Sequence, residues 1–397
     1  MKNLPSRTRR DNKQPGAGGS GHGLSIRPIR PIGSIFSFPL RPICATLDAN
    51  SSREVALPQL VVGGKPVSPP FALAPLAELT EPPFRALVER LGGCGLFYTP
   101  MLSPAAIRAH ATHRISIDAG RGDGSPPLVV QIAPSRHDDV ATAISMLLDL
   151  VAPDALDVNM GCAAPRVRRT GAGAALLAYP DAAIGIVRTA RRAWPGTLTV
   201  KTRLPGAGSF DELCAFSSAL VAEGVGAIAL HPRLAREGFT RGARWELVAQ
   251  LAAALPIPVI GSGDVRTARV GLERLGASGA AAVMIGRGAL RNPWIFAEAA
   301  SLGNGRSVER PTVIDLRDRI LELIDGIAAW AFPAGRAAAR IALVCGYLLD
   351  RTPFGRSIAL DLKRLVDPSA QSARVALHFD RLLADGWTGP PPDEIRD

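Results

Sequence analysis

Residues 127–161 read PLVVQIAPSRHDDVATAISMLLDLVAPDALDVNMG, and the fold follows from how that stretch divides. PLVVQIA (127–133) and ALDVNMG (155–161) are short apolar runs of strand length. Between them DDVATAISMLLDLV (138–151) is one amphipathic helix. A strand, a helix and a second strand make a unit whose strands run parallel, and the same alternation extends both ways from it. Upstream lie FALAPLAE (71–78) and GLFYTPML (95–102). Downstream lie LTVKTRL (198–204), AIALHPR (227–233), IPVIGSG (257–263) and AAVMIGRG (281–288), with FDELCAFSSALVAEG (210–224) as a further helix. Eight such strands separated by helices predict an α/β fold in which a parallel sheet closes into a TIM (β/α)8 barrel. An open doubly wound sheet is the competing topology, and no GxGxxG turn follows the first strand to support it.

The flanks differ from this core. Residues 1–56 carry many arginines, almost no acids, and Gly- and Pro-rich runs such as GAGGSGHG (16–23) and RPIRPIGS (27–34). Too little apolar surface is available there to offset ordering entropy, so a disordered basic extension is expected. It could be an RNA-contacting arm, a transit-like peptide or an upstream addition, and it lacks the apolar core of a secretory signal. The barrel is placed at 57–304. Residues 305–397 read as helices only, broken by Pro333, Pro353 and Pro368, and predict a small C-terminal helical bundle bearing Arg336, Arg340, Arg351, Arg356, Lys363, Arg364 and Arg374.

A hydrophobic fraction of 47% against 20% charged residues describes a globular chain able to bury a core. No apolar stretch is long enough for a membrane span. The cysteines (Cys44, Cys94, Cys162, Cys214, Cys345) form no CxxC pair, so reduced thiols in a cytoplasmic protein are expected, and no metal site. A net charge of +11 favours polyanions and nucleic acid above all. An Arg- and Ala-rich composition would also follow from genomic base composition, so charge alone does not decide the partner.

In a TIM barrel the strand C-termini form the active face. Strand four ends in Asn159-Met160-Gly161-Cys162 and enters a loop holding Arg166, Arg168 and Arg169. A lone strand-end cysteine is usually a small buried hydrophobe, but this setting favours a functional thiol. Lys201 and Arg203 on strand five are two apart and face the same side, as are His231 and Arg233 on strand six. Two inward cations suit an anionic or carbonyl-rich ligand. Strands seven and eight end in Gly261-Ser262-Gly263-Asp264 and Gly286-Arg287-Gly288, where small residues let backbone N–H groups approach a phosphate.

Taken in register, these segments resemble the tRNA-dihydrouridine synthase family. ALAPLAELTEPPFR (72–85) is similar to the family's APM-x-x-x-T-x-x-x-FR opening, and LDVNMGCAAPRV (156–167) to its N-x-GCP signature. VKTR, HPR, GSGDV and MIGRGALRNPWIF follow in order. The resemblance implies FMN, bound by Pro75, Leu76, Ala77, Gln131, Lys201 and His231, with its phosphate on Ser262, Gly263, Asp264, Gly286 and Arg287. It implies Asn159 and Arg203 holding the target uracil, and Cys162 as general acid. The uracil 5,6 double bond would take a hydride at C6 from reduced flavin and a proton at C5 from the opposite side. A thiol, with an ordinary pKa of about 8.5, is protonated at neutral pH. Lys201 would stabilise anionic reduced flavin. The partner implied is tRNA, its uridine turned out of the stack, with NADPH or NADH as transient electron donor and the protein acting as a monomer.

The match departs from the family at Ala163, Pro165, Leu76 and Ser262, where Pro, a polar residue, Met and Asn are usual. The tail has no clear counterpart of the family's Lys-His pair. These departures bear on substrate preference more than on the reaction. Two other readings share part of the pattern: a flavin barrel dehydrogenase acting on a free pyrimidine, and a non-catalytic tRNA-binding homologue. The first leaves the basic helical tail unexplained, and Cys162, Lys201 and His231 argue against the second.

Overall fold

The computed structural model describes residues 59–109, 124–330 and 334–390. The basic extension expected over 1–56 lies outside the described residues. The barrel strands are β1 (Phe71–Leu73), β2 (Phe97–Tyr98), β3 (Leu128–Ile132), β4 (Ala155–Met160), β5 (Thr197–Arg203), β6 (Ala227–His231), β7 (Val259–Ser262) and β8 (Ala282–Ile285). They pair in parallel in the order β1-β8-β7-β6-β5-β4-β3-β2. Closure between β1 and β2 comes from a parallel bridge at Ala72 and Leu96 and from two backbone bonds of 2.9 Å, Leu73 N–H to Leu96 C=O and Gly95 N–H to Phe71 C=O.

β1 and β2 fall furthest short of their apolar runs. β1 stops at Leu73 because Pro75 has no N–H and the Leu76 N–H is taken by Thr80 Oγ1 at 2.9 Å, which turns the chain out of the sheet. After β2, Pro100 interrupts the run, and Leu102 rejoins through a bridge to Ile132. Both departures put loops at the C-terminal face.

The barrel interior is small-residue rich. Ala72, Ala74, Ala155, Ala227, Ala229 and Ala282 alternate inward with Val129, Ile260 and Met284. A hairpin pairing Val61–Val62 with Lys65–Pro66 brings Leu60, Val62 and Val67 to the same cluster, capping the end opposite the loops. Gly63 N–H meets Thr197 Oγ1 at the start of β5, and Lys65 reaches Asp154 just before β4.

Helices cover the outside. α1 (Pro82–Leu91) opens on two prolines, whose missing N–H groups would be unbonded in a first turn anyway. α2 (Phe210–Ala222) starts with a capping box between Ser209 and Glu212. A tight approach joins the barrel's first and last helices. Gly93, with φ of 79°, sits so that a Cβ would run into the Phe296 carbonyl of α3 (Ile295–Gly303). Gly93→Ala is therefore expected to cost at least about 2 kcal/mol, seen as a lower denaturant midpoint with an unchanged slope.

The tail is the expected helical bundle: α4 (Val313–Ala329), α5 (Ala334–Leu348), α6 (Gly355–Leu362) and α7 (Pro368–Ala384). Thr312 and Asp315 form a capping box on α4, and Asp367 caps α7. Leu316, Ile320, Leu323, Ile341, Leu348, Val375 and Phe379 are buried in one core continuous with the barrel's outer layer. Barrel and tail belong to one compact unit. Several tail cations are paired within the protein: Arg340 with Glu78 at 3.1 Å, Arg356 with Asp350 at 3.1 Å and Arg374 with Asp361 at 2.8 Å. Arg336, Arg356, Lys363 and Arg364 are exposed. Among the described residues, no helix is long and apolar enough to cross a membrane, and no His/Cys/Asp/Glu group is arranged to hold a metal ion.

Candidate active site

The strand C-termini open into a cavity of about 1260 Å³. Its walls carry Pro75, Leu76, Ala77, Asn159, Cys162, Lys201, Arg203, His231, Ser262, Gly263, Asp264, Gly286 and Arg287, all singled out from the sequence. Gln131 is the exception. It is fully buried one step below the wall, where its side chain bonds Asn159 and Asp157 rather than facing the cavity.

Cys162 is held by its backbone. Asn159 Oδ1 accepts from the Gly161 N–H at 3.1 Å and the Cys162 N–H at 2.9 Å. Arg203 Nε donates to the Gly161 carbonyl at 2.9 Å, and the Cys162 carbonyl accepts from Ala174 N–H at 3.0 Å. Gly173, with φ of 62°, lies against this turn, and a Cβ there would meet Cys162 itself. The segment beyond, expected to be a loop, forms a helical turn at Pro165–Arg168 with the unusual Pro165 in its first position. Glu78 ties that turn to the tail: it pairs with Arg166 at 3.3 Å and with Arg340 of α5 at 3.1 Å. Cys94, Cys214 and Cys345 are buried elsewhere, and burial pushes the thiols of Cys94 and Cys345 up to about 12. Cys44 lies outside the described residues.

The cavity is electropositive. Lys201 is pushed down to about 8, first by burial and then by Arg203. Burial also lowers Arg203 and Arg287 from the ordinary guanidinium value, with Arg233 adding to both. His231 is driven down to about 2 by burial and the cations Lys201, Arg203, Arg233 and Arg287. It is therefore neutral across the physiological range, and its Nε2, 3.0 Å from Arg233 Nη1, is the acceptor, which places the ring proton on Nδ1.

Arg233, only 2% exposed, is the brace of this side. It donates from Nε to the Arg241 carbonyl at 2.5 Å and from Nη2 to Asp264 Oδ2 at 2.5 Å. Asp264, at a φ of 54°, also accepts from the Ala243 N–H at 2.8 Å. Its other oxygen, Oδ1, lies 4.0 Å from Arg287 Nη2 across the cavity wall. Gly263, at a φ of 123°, leaves room for the His231 ring, which a Cβ would crowd at 3.0 Å.

Sequence reasoning missed three parts of the site. Phe239, in the loop after β6 and 57% exposed, lies under the Arg287 guanidinium at 3.8 Å. Met101 approaches Asn159 Nδ2 with its sulfur at 3.8 Å. The third is the tail's share of the wall, from Asp350 to Pro353 with Arg356 and Trp387. Asp350 fixes that wall by pairing with both Arg291 of the barrel and Arg356, each at 3.1 Å.

This chain is 33% identical over 338 residues to tRNA-dihydrouridine synthase B of Xanthomonas campestris, covering 83% of this chain and 98% of that protein. It is 32% identical to a probable tRNA-dihydrouridine synthase of Rhodobacter capsulatus, covering 79% and 95%. A probable tRNA-dihydrouridine synthase of Mycobacterium tuberculosis is 31% identical, covering 85% and 94%. Residues 72–326, from the first barrel strand into α4, match the family model described as dihydrouridine synthase (Dus). With relatives matched almost end to end and the motif residues gathered around one cavity, the chain belongs to the dihydrouridine synthase family.

Proposed function

We propose that this protein reduces the 5,6 double bond of a uridine in tRNA, using FMN in the barrel mouth and NADPH or NADH as electron donor. The observation that carries the reading is the convergence of Cys162, Lys201 and His231 with two glycine-bearing loops on one electropositive cavity.

The residues fit FMN. Backbone N–H groups at Ser262, Gly263 and Asp264 and at Gly286 and Arg287 would receive the phosphate, with the Arg287 charge beside them. The cations Lys201, Arg203, Arg233 and Arg287 outnumber the acids of the wall, Asp264 and Asp350, as an anionic cofactor requires. Pro75, Leu76 and Ala77 would line the ring on the β1 side, with Lys201 and His231 opposite. Gln131 would act through Asn159. FMN, reduced by the pyridine nucleotide, supplies the hydride for C6. Cys162 holds the proton for C5, Lys201 stabilises negative charge at the cofactor, and neutral His231 offers Nδ1–H as a fixed donor. Asn159 Nδ2 donates to Gln131 Oε1 and, at 3.8 Å, to the Met101 sulfur, a weak acceptor that a uracil carbonyl would displace. Arg203 spends Nε and Nη1 on backbone carbonyls and would reach uracil through Nη2.

A cavity of about 1260 Å³ exceeds the 300–1,000 Å³ or so that one small ligand fills, leaving room for a nucleoside beside the cofactor. Because the tail forms part of the rim, a nucleoside entering while still attached to RNA would meet Arg356 and Trp387 there. That favours tRNA over a free pyrimidine. Nucleoside mass spectrometry of unmodified tRNA incubated with the protein, FMN and NADPH is expected to show uridine gaining two hydrogens. Flavin bound without that gain, together with reduction of free uracil, would move the assignment to a free-base dehydrogenase.

A further inference from the structure

Asp157 is a carboxylate inside the barrel with no part in the reaction described above. It faces inward on β4, 0% exposed, one level below Asn159. A buried carboxylate is costly unless its oxygens are bonded, and here both are. Oδ1 accepts from Thr199 Oγ1 at 2.6 Å and Oδ2 from Gln131 Nε2 at 2.8 Å. The chain of bonds then climbs toward the cavity. Gln131 Oε1 accepts from Asn159 Nδ2 at 2.7 Å, and Asn159 Oδ1 accepts from the Gly161 and Cys162 N–H groups.

The direction of this chain has one solution. Backbone N–H groups only donate, so Asn159 must turn its oxygen to them and its nitrogen to Gln131. Gln131 must then turn its oxygen up and its nitrogen down, and whatever lies beneath must accept. An ionised carboxylate does nothing but accept. The charged and titratable groups facing it are Lys201 on β5, which favours its ionised form, and Tyr98 on β2, whose hydroxyl is kept protonated by burial and by Asp157 itself. Burial raises the Asp157 carboxyl to about 6, with Thr199, Gln131 and Lys201 opposing the rise, so it is ionised at neutral pH.

We propose that Asp157 is a positioning residue that anchors the Gln131–Asn159 relay and thereby fixes the Gly161–Cys162 turn and the place of the Cys162 thiol. The inference rests on Cys162 being the proton donor, but its test does not depend on turnover alone. Asp157→Leu removes the acceptor. In Asp157→Asn the new amide can turn its oxygen to Gln131 and its nitrogen to Thr199, so the relay survives without the charge.

Two readouts are taken on the full-length protein. One is kcat and KM for tRNA. The other is the rate at which iodoacetamide alkylates Cys162, followed on its peptide by mass spectrometry with buried Cys94 and Cys345 as internal controls. Asp157→Leu is expected to lower kcat about 100-fold with KM little changed, and to raise Cys162 alkylation several-fold as the turn loosens. Asp157→Asn is expected to restore most of both. Unchanged alkylation in Asp157→Leu, or an Asp157→Asn variant as impaired as Asp157→Leu, would overturn the proposal. Should Asp157→Leu fail to fold, Gln131→Met breaks the same relay one link higher. It must then show the same rise in alkylation, and wild-type behaviour there would equally overturn the proposal. Alkylation needs no tRNA, so a wild-type protein inactive on uridine would refute the proposed function while leaving the relay decided by the thiol.

Discussion

Cys162→Ala is expected to lower dihydrouridine formation by about 10²–10⁴-fold while flavin and tRNA still bind. The expectation follows from what the thiol's neighbours do. Asn159 and Arg203 hold the peptide that precedes it and the Ala174 N–H holds its carbonyl, so deleting Sγ removes the proton source without unfastening the turn. Among the described residues of the cavity wall, neither His231 nor Lys201 is placed to replace it. His231 is neutral and its Nε2 is committed to Arg233, and the Lys201 ammonium belongs to the flavin side of the proposed arrangement. Single-turnover reduction of stoichiometric unmodified tRNA measures the step directly. Activity equal to that of the wild type would remove Cys162 from the mechanism.

Lys201→Met is expected to act in opposite directions on two properties. In turnover, losing the cation reduces stabilisation of negative charge at the cofactor, with an expected loss on the order of 10²-fold or more. Stability of the flavin-stripped protein should rise. Lys201 is lowered from 10.5 in the unfolded chain to about 8 in the fold. Between those values the unfolded state holds the extra proton, so the lysine's contribution to stability improves as pH climbs through that window and is at its worst below it. At pH 7 the folded protein carries the whole penalty of a poorly solvated ammonium, and methionine removes it. Each kcal/mol recovered shifts the melting temperature by roughly 1–2 °C in a chain of this size. Thermal unfolding at pH 7 with and without FMN checks this: the variant should melt higher when stripped and gain less from FMN. A lower melting temperature in the stripped variant would contradict it. Site residues that cost stability are common where activity depends on charge held in a dry pocket.

Much of this site was legible in the sequence because a parallel barrel converts strand order into position. Asn159, Lys201 and His231 could be placed together on period-two alternation and strand ends alone, and each lines the cavity. The glycines after β7 and β8 could be read the same way. Gln131 shows where such reading stops. The family resemblance put it at the flavin, but its depth is set by Asp157 and Asn159 on the neighbouring strand. Asp157 itself looked like any strand acid, and its meaning depends on Thr199 and Gln131, far off in sequence. The Arg233–Asp264 pair spans two loops whose approach only the closed barrel determines. Phe239 sits in a stretch with no periodicity at all. Strand ends were overestimated where a proline or a side-chain acceptor, as at Pro75 and Thr80, ended the pairing.

The tail's place in the cavity wall has a consequence for how such proteins can be recombined. Exchanging residues 312–390 for the matching part of another family member would not swap a detachable handle. It would replace one side of the reaction chamber, together with Asp350 and Arg340. Arg291 and Glu78, left behind on the barrel, would each need a newcomer of the right charge at the right spot. A graft that kept those two seams could carry a new preference among uridines, whereas one that broke them would unsettle the Cys162 turn through Glu78 and Arg166.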